Sequence, residues 1–172
     1  LDFLVWVALF FALLPYRKSK ELSLIFWGAQ ALILLSYSMS GFWKILTAIN
    51  QLASGQTSAF SPDAAALHVS TQLNMLQESS SLLGPLIINY PLLGWIPLLI
   101  FLYWQLFSLI IAWKPSLHRV WALGLILFHV GTYLTMKVEF FHHIPLLLIL
   151  FFDSPFKKEG VSLKETVADL PL

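Results

Sequence analysis

Apolar residues run along this chain in long blocks separated by short polar stretches. The first block, residues 1–14, is interrupted only by Asp2 and ends at Pro15 and the basic cluster Arg17, Lys18 and Lys20. A helix needs about 20 apolar residues to cross a hydrocarbon core, so this block reads as the tail of a truncated span. A secretory leader would carry its charges ahead of the apolar run and show a small-residue cleavage site. The second block, 22–49, is uniformly apolar at first and then admits Ser36, Tyr37, Ser38, Ser40, Gly41 and Lys44. Residues 50–81 have the Gly, Ser, Thr, Gln and Asn content of a loop, within which 67–83 predicts an amphipathic interfacial helix carrying Leu67, Leu73, Leu76 and Leu83. Residues 82–97 are apolar but contain Pro85, Pro91, Pro97, Gly84 and Gly94. Because Pro costs about 3 kcal/mol inside a helix, a bent entry at the interface is expected there. A third span is predicted at 96–113 and a fourth at 117–136, with Ser116 as the N-cap of the fourth. A fifth, short run covers 140–152, and a polar tail follows from Asp153.

Composition identifies the solvent. Hydrophobic residues make up 58% of the 172 residues, charged residues 11%, and the mean hydropathy is +0.78. A soluble domain carries about 25% charged residues. The deficit excludes an ordinary soluble enzyme, a disordered chain and a nucleic-acid binder. The pattern predicts an all-α, polytopic helical membrane protein with four to five transmembrane helices and one long extracytoplasmic loop. The helical membrane domain would span 1–152, and a cytoplasmic tail 153–172. Zero Cys excludes disulfides, thiolate metal sites and a Cys nucleophile.

Charge placement orients the layout. Arg17, Lys18, Lys20, Lys114, Arg119, Lys157, Lys158 and Lys164 all fall on one side of the expected spans, leaving only Lys44 and Lys137 on the other. The positive-inside rule then puts the basic turns and the C-terminus in the cytoplasm. The 50–81 loop would face the periplasm of a bacterial inner membrane, or a lumen. Trp6, Trp27, Trp43, Trp95, Trp113 and Trp121 mostly fall near the expected interfaces, as aromatic belts do.

Three groups of residues carry candidate chemistry. Ser36, Ser40 and Lys44, spaced four apart, share one helix face, with Gln30, Tyr37 and Gly41 close to the same stripe. A polar stripe on a membrane helix turns toward neighbouring helices or a wet cavity. There Lys44 would serve as a candidate base, whereas a lysine snorkelling beside Trp43 would keep its ammonium among head groups. His129 lies mid-span with Thr132 and Tyr133 at i+3 and i+4. A neutral histidine bonded to another helix, a quinone or lipid contact, a proton relay and a haem ligand all remain open for it. Glu139, His142 and His143 have the i, i+3, i+4 spacing seen in carboxylate-bridged metal bundles. The other spans offer no carboxylates, so an interfacial polar cluster is expected and no metal is assigned. Asp63, His68 and the serines near them can be drawn as a hydrolase triad, but nothing in the sequence fixes such a geometry.

The segment YSMSGFWKI at 37–45 resembles the HTTM-domain membrane proteins, which are related to the membrane part of the vitamin K-dependent gamma-carboxylase. The order of features is similar: a shorter span ending in Pro15 and the basic turn, an aromatic, a small pair and Lys44, an extracytoplasmic stretch, a span, a basic turn at Lys114-Pro115, a span with Phe128-His129, and a short closing apolar segment. The resemblance covers about residues 10–152, the C-terminal part of such a domain. It implies that Lys44 takes the place of the base that deprotonates a hydroquinone. It also implies that Lys44, Ser40, Tyr37, His129 and Tyr133 line a cavity for a quinone or other lipid. The residues after the lysine, Ile45 to Ala48, depart from the carboxylase pattern, and Gln105 stands where relatives often carry a carboxylate. Membrane lipids are the expected partners. The competing expectation is a non-catalytic accessory subunit packed against other membrane subunits of a larger complex.

Overall fold

The computed structural model describes residues 19–78, 81–152 and 154. The first apolar block with its Arg17 and Lys18, and the tail beyond Phe152 apart from Ser154, lie outside the described residues. All regular structure among the described residues is helical. The helices are α1 (Ser19–Ala53), α2 (Ala64–Met75), α3 (Gly84–Asn89), α4 (Pro91–Leu106), α5 (Ser108–Ile111), α6 (His118–Met136) and α7 (His143–Leu147). A tight 3₁₀ turn, Pro115–Leu117, leads into α6, and α7 continues in wide π-helical geometry over Leu148–Phe152.

Two helical segments are long and apolar enough to cross a membrane, Ser23–Ala53 and Pro115–Met136. That is fewer than the four to five expected. The third apolar block is divided at Phe107 into α4 and α5. The fifth starts at His143 and covers ten residues to Phe152, about 15 Å of helix.

The hydrophobic core joins α1, α5, α6 and the closing segment. Ala29, Ile33, Leu34 and Tyr37 pack with Ile111, Ala112, Trp121, Ala122, Leu125, Leu147, Leu150 and Phe151. Small residues allow the closest approaches. A Cβ on Gly41 would lie 2.7 Å from the Leu106 backbone nitrogen, so α1 and α4 meet there nearly backbone to backbone. A Cβ on Gly124 would strike the Trp104 indole, whose Nε1 donates to the Trp121 carbonyl at 3.0 Å.

Polar side chains repair the breaks. At Phe107, Ser38 Oγ donates to the Leu106 carbonyl (3.0 Å) and accepts from Leu109 N (2.8 Å). Gln30, fully buried, donates to the Leu150 carbonyl (2.6 Å) and to Ser154 Oγ (3.1 Å) where the closing helix widens. Groups left unpaired in an apolar surrounding are costly, which accounts for hydroxyl and amide side chains at these depths.

Several expectations are corrected. The amphipathic helix ends at Met75 and buries Ala64, Ala65, Val69 and Leu73 against the bundle, while Leu67, Leu76 and Leu83 stay exposed. Ser116 lies within the 3₁₀ turn, and α6 begins after Leu117 with no side-chain cap. Trp121 is a core residue, its indole donating to Ser108 Oγ at 2.9 Å. The bent entry takes the form of α3 and α4 meeting at Tyr90. Pro97 sits inside α4 with the helix intact around it.

Candidate functional site

A cavity of about 700 Å³ opens between the second half of α1, α2, α4, α6 and the segment joining α6 to α7. On α1 its wall is the stripe Ser36, Ser40, Lys44, Thr47 and Gln51, with Tyr37 beside it. At 100° per residue these positions fall within about 60° of Ser40. The opposite face of α1 carries Leu35, Met39, Phe42, Leu46 and Ile49, all exposed.

Lys44 lines this space and stays exposed as a residue. Its Nζ donates to Gln105 Oε1 at 2.8 Å and sits 5.3 Å from the centre of the Phe128 ring. Gln105 is buried on α4, facing α1. Lys44 therefore turns its amine toward a neighbouring amide and an aromatic face, with Trp43 leaving the helix to one side, 69% exposed. An ammonium over a ring face is attracted by the ring quadrupole.

Tyr37 and His129 form the second element. Their hydroxyl and Nε2 are 2.5 Å apart. With the phenol as donor, the ring proton of a neutral His129 sits on Nδ1, which is buried and has no hydrogen-bond partner among the described residues. The His143 ring stacks on His129 with centroids 5.0 Å apart. Thr132 also lines the cavity, although its hydroxyl is tied to the His129 carbonyl at 2.8 Å.

Tyr133 does not line the cavity. It packs on Phe141 with centroids 4.8 Å apart and lies under the Lys137 ammonium. The wall of α6 is made by Phe128, His129, Thr132 and Met136, a face centred on the Thr132 side of His129. Position 133 rotates to the other side. The Glu139, His142, His143 spacing likewise fails as a helix face, because α7 begins only at His143. Glu139 and His142 are exposed, and His143 is buried against the cavity. Among the described residues no three His, Asp or Glu side chains converge as a metal-ligand set.

Residues 137–142 are non-helical and return alongside α6, contributing Val138 and Phe140 to the wall. Lys137 makes the reversal with a left-handed backbone (φ 58°). The segment's polar backbone is partly covered by the helices it returns against and faces the cavity.

α2 covers the loop end, the end of the bundle at which α1 finishes. It contributes Leu67, His68, Thr71 and Gln72 to the cavity. His68 is exposed overall, but partial desolvation at this wall, then the Lys44 charge, hold its imidazole below its ordinary value of 6.5. Asp63 remains exposed at the start of α2, away from the cavity lining. Sequence spacing did not find His68 or His143 as cavity residues, since neither shares a periodic stripe with Lys44. Gln105 was visible only as one amide in an apolar block.

Among the described residues, Lys44 is the single formally charged one lining the cavity. The inner wall is apolar and aromatic, with Leu98, Phe101, Leu102, Phe128 and Phe140. The lining is chemically complementary to an apolar ring or chain bearing an oxygen acceptor, and it includes a phenol–imidazole pair. Comparison with family models, curated proteins and solved structures finds no match for this chain.

Proposed function

We propose that this chain is a multi-pass integral membrane protein of the HTTM kind whose cavity binds a quinone or other lipid, with Lys44 engaging its oxygen. The observation that carries this reading is the Lys44 ammonium, held by Gln105 and Phe128 on the wall of an aromatic-lined cavity. Three outward faces support a lipid surround. Leu35, Met39, Phe42, Leu46 and Ile49 on α1, Ile96, Ile100 and Tyr103 on α4, and Val120, Leu123 and Leu127 on α6 are all exposed. Contiguous apolar surface of that extent is alien to a soluble monomer.

In this reading α4 and α5 act as one broken span of about 30 Å, and the closing helix enters from mid-membrane. With the first apolar block, these bring the count to four to five spans. The basic turns and the C-terminus face the cytoplasm of a bacterial inner membrane. As the candidate base Lys44 acts from its neutral amine, taking the proton of an acidic ligand oxygen and becoming the ammonium that pairs with the resulting oxyanion. Tyr37 and His129 supply a separate phenol–imidazole pair for proton exchange deeper in the cavity.

The test is mass spectrometry of lipids and quinones that co-purify with the wild type and with Lys44→Gln. A species enriched in the wild type and lost from a folded Lys44→Gln variant supports the proposal. Identical lipid content in the two proteins contradicts it. A protein held in fixed stoichiometry through mild detergent, with no bound lipid species, would point to an accessory subunit.

A further inference from the structure

The loop-end half of the cavity has a chemistry that the Lys44 site leaves unused. Thr47 and Gln51 on α1, Thr57 in the following connection, and Thr71 and Gln72 on α2 all face it. None of these five side chains makes a hydrogen bond to another described residue; Thr47, Thr57 and Thr71 are exposed and Gln51 and Gln72 half-buried, so water reaches them in the open cavity. Several hydroxyls elsewhere in the helices are tied to their own backbone, as with Ser36 to the Ile33 carbonyl and Thr135 to the Gly131 carbonyl. Hydroxyl and amide groups supply both donors and acceptors without charge. Trp43 adds an exposed indole to the same wall. An apolar occupant would desolvate these groups without compensation, and a multiply charged one would meet a single counter-charge. A group with several hydroxyls matches them, because each hydroxyl both donates and accepts.

The arrangement along α1 orders the parts of a ligand. Tyr37 lies about 10 Å below Lys44 along the helix, Thr47 about 5 Å above it and Gln51 about 10 Å above it. The aromatic half receives an apolar tail, Lys44 meets one anionic oxygen, and the loop end remains for what the lipid carries beyond that oxygen. We propose that the loop-end half is a subsite for an uncharged, hydroxyl-rich head group on a singly anionic lipid. This rests on the cavity being a lipid site, as proposed above.

The experiment uses the full chain purified in a detergent without a sugar head group and placed in nanodiscs. The nanodiscs contain equal amounts of phosphatidylglycerol and phosphatidylethanol in a phosphatidylcholine background. Both probes are monoanionic, and they differ in the glycerol hydroxyls. Retained lipid is measured by mass spectrometry. The expected result is a preference of about tenfold for phosphatidylglycerol, the scale of one or two hydrogen bonds. A Thr71→Val, Gln72→Leu double variant, on the exposed and half-buried side of α2, should abolish the preference, with Thr47→Val as an independent second variant. Lys44→Gln should weaken both lipids together. Equal retention of the two probes by the wild type overturns the head-group subsite and leaves the lipid cavity standing. Retention of neither, with no quinone bound, overturns both. Saturation of the site by glycerol alone, with no gain from the lipid, overturns the lipid as the source of the hydroxyls.

Discussion

Lys44 and Gln105, 61 positions apart in sequence, meet in a 2.8 Å hydrogen bond across the α1–α4 contact. The bond holds the ammonium against the cavity wall and leaves it protons with which to meet a ligand. Gln105→Leu would leave the ammonium without its amide partner. Hydrogen bonds to charged groups contribute about 1.5–3 kcal/mol. Because the cavity admits water, a loss near the lower figure is expected, read as a lowered thermal midpoint in detergent. An unchanged midpoint would show that the amide does not hold the lysine.

The approach of α1 to α4 depends on Gly41. A Cβ there would meet the Leu106 backbone, which is not a flexible side chain that can swing away. Gly41→Ala is expected to cost about 1–3 kcal/mol, the usual range for overpacking. On the same helix, a methyl added at Gly28 would meet nothing within 4 Å, so Gly28→Ala should leave stability unchanged or raise it by up to about 1 kcal/mol. Thermal unfolding of the two variants side by side checks both.

Ser38 serves both sides of the break at Phe107. Ser38→Ala strands the Leu109 N–H beside an apolar core, and a buried group left unsatisfied costs about 1–3 kcal/mol. Faster hydrogen exchange at Leu109 and Ile110, with α6 unaffected, is the expected signature.

His68 gives the pH dependence. Partial desolvation and the Lys44 charge both disfavour its imidazolium in the folded protein, so its folded value lies below 6.5. The unfolded chain then binds the proton more readily. The stabilisation is full above about pH 6.5 and is lost as the pH falls through the window below it. Lys44→Gln removes one of the two causes and should raise the His68 value, observed by NMR titration of the imidazole. A His68 titration unmoved by that substitution would place the two groups too far apart to interact.

Parts of the site were legible in the sequence because they obey helical periodicity. Ser36, Ser40 and Lys44 are separated by whole turns, and the stripe they form does face the cavity. Tyr37 and His129 meet through their long side chains across the cavity, because α1 and α6 are both held by α4 and the closing segment and make few direct contacts with each other. Tyr133 was misassigned because i+4 spacing names a face only to within about 40°, and the cavity lies on the other side of His129. The break at Phe107 was illegible, since neither Pro nor Gly marks it and its repair comes from Ser38, far earlier in the chain. The return of α2 over the cavity was equally hidden. Its buried residues include Ala64 and Ala65, which an apolar count over leucines overlooks, although Leu73 is buried and Leu67 lines the cavity. His143 was read as part of a surface cluster because its helix was taken to begin before it.

An experimental structure of the full chain in a lipid nanodisc is the most direct measurement. The expected result is density for a lipid or quinone in the cavity, with one oxygen within about 3 Å of Lys44 Nζ and its apolar part against Phe128 and Phe140. A cavity holding only water while lipid lies along the outer faces, or one closed by its own side chains, would contradict the assignment of Lys44 to a ligand.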